Sequence, residues 1–201
     1  MAITSNVSQF LNQVKQGVRP NLFLASFVFP AGGTNINGDV ELTGLLCKSA
    51  ALPASNLGVI EVPFRGRTVK VAGDRTFDTW TATFINDRNF KIRHSMEAWM
   101  QSINAHEANT AAIWTPDTAG YTADITIQQL ERDSTASGSV LRSYKLVGFF
   151  PTNVSQIDLA YDSNDQIEDF TVEFQLQYWN VVASGGNSNA AAQGVSNGTI
   201  A

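Results

Sequence analysis

Phe170-Thr171-Val172-Glu173-Phe174-Gln175-Leu176-Gln177-Tyr178-Trp179 is the stretch that decides the fold. Phe170, Val172, Phe174, Leu176 and Tyr178 alternate with Thr171, Glu173, Gln175 and Gln177. Successive side chains of a strand point to opposite faces, so the pattern predicts one face against a core and one polar throughout. The strand is expected to occupy Gln166–Trp179. The Asp162-Ser163-Asn164-Asp165 run before it has the composition of a turn, joining it to a strand at Ser155–Tyr161.

Working outward, Val140–Phe150 and Tyr121–Glu131 read as two more strands, and Thr115-Pro116-Asp117 separates them from a helix. In that helix Ile92, Met96, Trp99, Met100 and Ile103 fall at spacings of 4, 3, 1 and 3, one apolar stripe of helical period. Asn86 and Asp87 are expected to cap it. Phe77–Ile85 alternates again, with Trp80, Ala82 and Phe84 on one face and Thr79, Thr81 and Thr83 on the other. Val69 and Val71 start a strand, Gly73-Asp74-Arg75 reads as a tight turn, and Ala54–Gly66 is neither helical nor cleanly alternating. Leu22–Phe29 and Val40–Cys47 are apolar runs joined by a Gly- and Asn-rich segment, Pro30–Gly38, which predicts a long hairpin. Val7, Phe10, Leu11 and Val14 mark a short helix, capped by Thr4 or Ser5 and ended by Gly17.

The expected architecture is mainly β (α+β): an antiparallel barrel or sandwich over residues 1–182, with one packed helix and a short N-terminal one. Its core is expected to hold Trp80, Phe84, Ile92, Met96, Trp99, Ile103, Phe170, Val172, Phe174 and Leu176. Residues 183–201, made largely of Gly, Ser, Asn and Ala, are expected to be a flexible tail.

Composition narrows the function. The 201 residues are 43% apolar, enough for one real core, but only 15% charged, against a usual quarter. So few charges suit a chain whose flanks are covered by other chains. The net charge of -5 opposes a clamp that works by neutralising phosphates. The single cysteine, Cys47, excludes a disulfide framework and a multi-cysteine zinc site. The sequence has no run of 18 apolar residues, hence no expected membrane segment, and Met1–Asn6 carries no secretory pattern. A soluble chain made in the cytoplasm is expected.

No catalytic constellation emerges. His94 and His106 would lie about 18 Å apart along one helix and about 120° apart around it, so they cannot share a metal. His94 with Glu97 reads as a solvated surface pair. Cys47 reads as a buried structural thiol, although Lys48 beside it leaves a reactive one possible. Arg65-Gly66-Arg67 reads as charge at a loop edge. Asp158, Asp162, Asp165, Glu168, Asp169 and Glu173 form an acidic run without a base; its spacing is not that of an EF-hand, and a solvated surface is the plainer reading. P-loop, GxGxxG, GxSxG and HExxH patterns are absent from the sequence. The expectation is therefore no enzyme, no cofactor and no metal. Charge is unevenly spread: residues 1–106 carry 10 basic and 7 acidic residues, and 107–201 carry 3 and 11. Seven of the 13 basic residues lie between Arg65 and Arg93. On opposite surfaces these regions would let copies stack head to tail.

Several segments, in order, resemble the tail tube proteins of bacteriophages with long contractile tails. They are Arg19–Phe23, Cys47–Ala54, Val71–Trp80, Phe84-Ile85-Asn86-Asp87, Pro151–Val154, Leu159–Asn164 and the strand ending Tyr178-Trp179. The 30–38 loop, the stretch around Asn104 to Gly120 and the tail after Trp179 depart from the family pattern. The resemblance implies hexameric rings whose sheets join into one β-barrel around a channel. It implies as partners the chain itself, helically stacked, together with sheath, baseplate and tail-terminator proteins. DNA would pass through the lumen without specific binding, in a virion tail assembled in the host cytoplasm. Thr171, Glu173, Gln175 and Gln177 would then face the lumen. Arg65, Arg67 and Lys70, in a segment that reaches neighbouring subunits and rings, would face an acidic partner surface. Related tubes serve contractile injection and secretion systems, and a tube initiator of the same fold is a near rival. The rival from another class is a stand-alone β-sandwich binding module using Trp80 or Trp99 as a platform; the alternation opposes it by placing both on apolar faces.

Overall fold

A polar residue at every second position of Asp169–Gln175 leaves Phe170, Val172 and Phe174 to one face, and this strand sits in the middle of the sheet. The computed structural model describes residues 7–15, 17–30, 36, 39–111, 115–116, 120–131, 140–162 and 164–182. The expected caps at Thr4 and Ser5, most of the 30–38 loop and the 183–201 tail lie outside them.

In chain order the elements are α1 (Val7–Lys15), β1 (Phe23–Phe27), α2 (Val40–Leu45), β2 (Cys47–Ala50), β3 (Asn56–Phe64), β4 (Arg67–Thr76) and β5 (Trp80–Ile85). They continue with α3 (Lys91–Ile103), β6 (Ala123–Leu130), β7 (Val140–Val154), β8 (Asp169–Gln175) and β9 (Tyr178–Val182). Seven strands form one antiparallel sheet in the order β1-β6-β7-β8-β5-β2, with β9 also on β7. End strands β1 and β2 are not paired with each other, so the sheet is open in the single chain. It curls nonetheless. Phe27 of β1 meets Phe84 of β5 at 5.3 Å and Phe149 of β7 at 6.3 Å between ring centroids. Helix α3 lies on the curled sheet: Trp99, fully buried, packs on Phe149 at 5.9 Å and donates its indole N–H to the Tyr121 carbonyl at 2.7 Å.

Five local expectations are corrected. Val40–Cys47 is not a strand, and Leu22–Phe29 does not pair with it: β1 pairs with β6, and Val40–Leu45 is helical. Asp39 caps that helix by accepting from the Leu42 N–H at 3.0 Å, and Gly44 lets it lie on β1, since a Cβ there would be 2.8 Å from the Ala25 carbonyl oxygen. Neither Asn86 nor Asp87 caps α3. The N-cap is Phe90, held at φ 54°, while Asp87 closes the preceding turn by accepting the Asn89 and Phe90 N–H groups. Ser155–Tyr161 is irregular, because β7 has already run on to Val154. Gly73-Asp74-Arg75 is no turn but part of β4, where the register shifts opposite Gly58.

The fifth correction concerns the strand first quoted. It is divided into β8 and β9, yet the pairs Pro151↔Phe174, Phe150↔Gln175, Val147↔Tyr178 and Ser143↔Val182 keep one antiparallel register along β7. The interruption falls where Gln177 faces Gly148, whose φ is +65°. Alternation fails there. Tyr178 is 44% exposed instead of joining the core face, and Trp179 turns inward onto Tyr144 at 5.6 Å.

Candidate functional site

Two surfaces stand out, and both are built by strands. The first is the polar face of β5 and β8. Thr83 and Thr171 hydroxyls meet at 3.2 Å, Glu173 lies opposite Thr81 on one side and Asn153 on the other, and Gln175 donates to the Thr79 hydroxyl at 2.9 Å. Thr171, Glu173 and Gln175 are half-buried in this face. Gln177 lies beyond the end of β8, beside Gly148, and is exposed. Thr79, Thr81, Thr83 and Asn153 complete the face, and the three threonines announce themselves by alternating with Trp80, Ala82 and Phe84. Glu173 is the one ionisable side chain among these residues. At one rim Lys48 is ion-paired with Asp169, and on the β6–β7 side Lys145 pairs with Asp124 at 2.9 Å. The hydrogen bond to Asp124 raises the Lys145 pKa above its ordinary value.

Behind that face lie the residues expected in the core. Trp80, Phe84, Ile92, Met96, Trp99, Phe170, Val172, Phe174 and Leu176 are buried, and Ile103 is packed against them half-buried.

The second surface is the β3–β4 hairpin, a separate two-stranded sheet closed by Arg65-Gly66, both at positive φ. Every residue of β3 is exposed, including Leu57, Val59, Ile60, Val62 and Phe64, and Val69 and Val71 on β4 are too. That explains why this stretch shows no period: with neither face buried, nothing selects alternation. A two-stranded ribbon is marginal in water by itself, and each of these half-exposed apolar side chains forgoes part of the roughly 1.5–3 kcal/mol that full burial brings. Arg65 and Arg67 flank the tip, with the Arg65 guanidinium 5.3 Å from the Phe64 ring centre; Lys70 pairs with Glu61 at 3.6 Å.

The chemistry-bearing residues do not converge. Glu97 pairs with Arg93 at 2.8 Å rather than with His94, and His94 and His106 are both exposed. Cys47 opens β2, is buried, and burial pushes its thiol up to about 12. Among the described residues no three His, Cys, Asp or Glu side chains are placed to hold a metal, and no helix is long and apolar enough to cross a membrane.

An open sheet whose polar face holds one carboxylate, Glu173, and an apolar ribbon left exposed are features that mark interaction surfaces. Over residues 18–182 the chain matches the family described as phage tail tube protein. It is 37% identical to the tail tube protein gp19 of Enterobacteria phage T4, over 80% of this chain and 90% of that protein. It is 34% identical to the tail tube protein of Serratia phage KSP90, over 89% and 97%. Its fold is similar to a chain of the PVC extracellular contractile injection system sheath–tube complex in the extended state, with a TM-score of 0.53, 17% identity, and 90% and 100% coverage. The chain belongs to the phage tail tube protein family, and so to the virion tail.

Proposed function

We propose that the chain builds the inner tube of a contractile tail. Six copies join their sheets edge to edge into a ring with one continuous barrel, and rings stack helically from a baseplate, inside a sheath, up to a terminator. The tube is assembled in the host cytoplasm and later passes the genome. The observation that carries this reading is the β3–β4 hairpin, whose seven large apolar side chains are all between 46% and 61% exposed. Burial against another copy would give such a ribbon a reason to fold. The unpaired edges of β1 and β2 supply the joints. The hydroxyl- and amide-rich face of β5 and β8 lines the channel, where Glu173 repels phosphates and the neutral residues offer them no strong grip.

A stand-alone binding module fits poorly, because Trp80 and Trp99 are 3% and 0% exposed and offer no ligand a ring face. The test is negative-stain electron microscopy of the full chain over a range of concentrations. Hollow rings or tubes with sixfold end views are expected; small separate particles at every concentration, with and without a baseplate template, would sink the reading.

A further inference from the structure

We propose that the tip of the β3–β4 hairpin of one copy seats in the open groove of the loop between β7 and β8 of another copy, lined by residues 156–161 and 166–169. The contact presupposes the tube reading and adds to it the receiving surface.

That loop leaves β7 after Val154 and returns at β8, with half-buried Ile157 packed against the core and the described residues after it exposed. Leu159 is 83% exposed, Ile167 is 77% exposed and Tyr161 is wholly so. It surrounds an open groove of about 700 Å³, lined in part by Ile157, Leu159 and Ile167 and by the carboxylates of Asp158 and Glu168. Asp162 and Asp165 lie on the same loop, and residues 156–168 contain no basic side chain. The groove is thus apolar and acidic at once.

The hairpin tip is apolar and basic at once. Phe64 is 61% exposed, with the Arg65 guanidinium over its ring. Among the described residues neither Arg65 nor Arg67 forms an ion pair within the chain. Between Asn56 and Thr76 the bases Arg65, Arg67, Lys70 and Arg75 stand against only Glu61 and Asp74. An aromatic ring flanked by two arginines is matched, in both hydrophobicity and charge, by a groove of Leu and Ile flanked by carboxylates. Arginine can also meet a carboxylate through two parallel N–H donors, which fixes register as well as attraction.

The two patches are different parts of the chain, so the contact is heterologous. Repeated from copy to copy, it propagates rather than ending at a dimer. Of the other exposed apolar surfaces, the α1 face (Val7, Phe10, Leu11, Val14) has no charge pattern that selects an occupant.

Charge reversal and cross-linking on the full chain test the contact. Arg65→Glu with Arg67→Glu, and separately Asp158→Arg with Asp162→Arg, are expected to cut sedimentable tube by about tenfold or more, since like charges placed face to face cost several kcal/mol. Combining all four substitutions is expected to restore it. All these positions are exposed, so every variant should keep the circular dichroism and melting temperature of the unaltered chain. Independently, Arg67→Cys with Asp158→Cys is expected to give, on mild oxidation, a reducible ladder of covalent oligomers. If the unaltered chain forms tubes but neither rescue nor ladder is obtained, this contact is wrong and the tube reading stands. If the unaltered chain forms neither rings nor tubes, with or without a template, both fall.

Discussion

The rings of Phe149 on β7 and Phe174 on β8 lie stacked, with centroids 4.1 Å apart and planes 22° from parallel, and both are buried to 1% exposure or less. Phe27, Trp80 and Trp99 all touch one or both of these rings, so the pair joins the two halves of the curled sheet to α3.

Removing either ring should therefore be costly. Phe149→Ala and Phe174→Ala are each expected to lose about 3–5 kcal/mol in guanidinium unfolding, the usual cost of a large cavity. The double-mutant cycle should return a coupling of about 0.5–1.5 kcal/mol, the part owed to the stacked contact. Additive losses would mean that the rings merely share a core.

Gly148 holds a conformation that only glycine adopts freely. With φ at +65° and a Cβ position 2.6 Å from Gln177 Cγ, Gly148→Ala meets both backbone strain and a side chain. A loss of about 1–3 kcal/mol is expected. Adding Gln177→Ala should recover only part of it, because the strain remains; full recovery in thermal melts would show that the clash was everything.

The hairpin matters to assembly and little to the subunit. Replacing Leu57–Arg75 by a short Gly-Ser turn should leave the melting temperature of the unassembled chain within a few degrees, since the ribbon forms its own sheet apart from the seven-stranded one. The same variant should form no tubes by electron microscopy. A large fall in melting temperature would mean the ribbon supports the core.

Cys47 should be inert in the folded chain. Its thiol pKa is pushed from 9.0 to about 12 by burial. Below the lower value the thiol is neutral in both states and contributes nothing to pH dependence. Between the two values only the unfolded chain ionises, so stability should fall as pH rises through that window. At pH 8 the folded chain carries on the order of a thousandfold less thiolate, so iodoacetamide labelling should be slow until guanidinium unfolds the protein. Rapid labelling without unfolding would place the thiol at the surface.

If Glu173 faces the channel, reversing it should slow DNA rather than break the tube. Particles carrying Glu173→Lys are expected to have tails of normal length but slower genome ejection, with the delay shrinking as salt rises. Ejection at the unaltered rate across all salt concentrations would remove Glu173 from the path of the DNA.

Much of the sheet is legible along the chain because one buried face writes a period of two into it. Trp80, Ala82 and Phe84, and Phe170, Val172 and Phe174, are buried because water is excluded from one side only, and their intervening threonines and Glu173 record the other. The stripe of Ile92, Met96 and Trp99 is legible for the same reason at helical period. Val40–Leu45 misleads because its apolar content is equally compatible with a strand; the choice is made by the Asp39 cap and by Gly44 lying against a carbonyl of β1. The polar face could be glimpsed in fragments, but its assembly from Thr79, Thr81, Thr83, Asn153 and Glu173 required knowing that β8 lies between β5 and β7.

The amino-acid sequence by itself determined which faces of Trp80–Phe84, Ile92–Trp99 and Phe170–Leu176 avoid water and, through ordered short segments, the family. Both are local properties, set by side-chain chemistry and spacing. The tertiary structure alone decided that β8 and β9 share one register across a break, and that β1 ends beside β6. It also decided that the basic ribbon and the acidic loop are both left without cover. Those outcomes depend on pairings between residues far apart in the chain, where Gly148 meets Gln177 and Phe27 meets Phe84. No single stretch of sequence contains both partners, so their energies appear only once the chain has closed on itself.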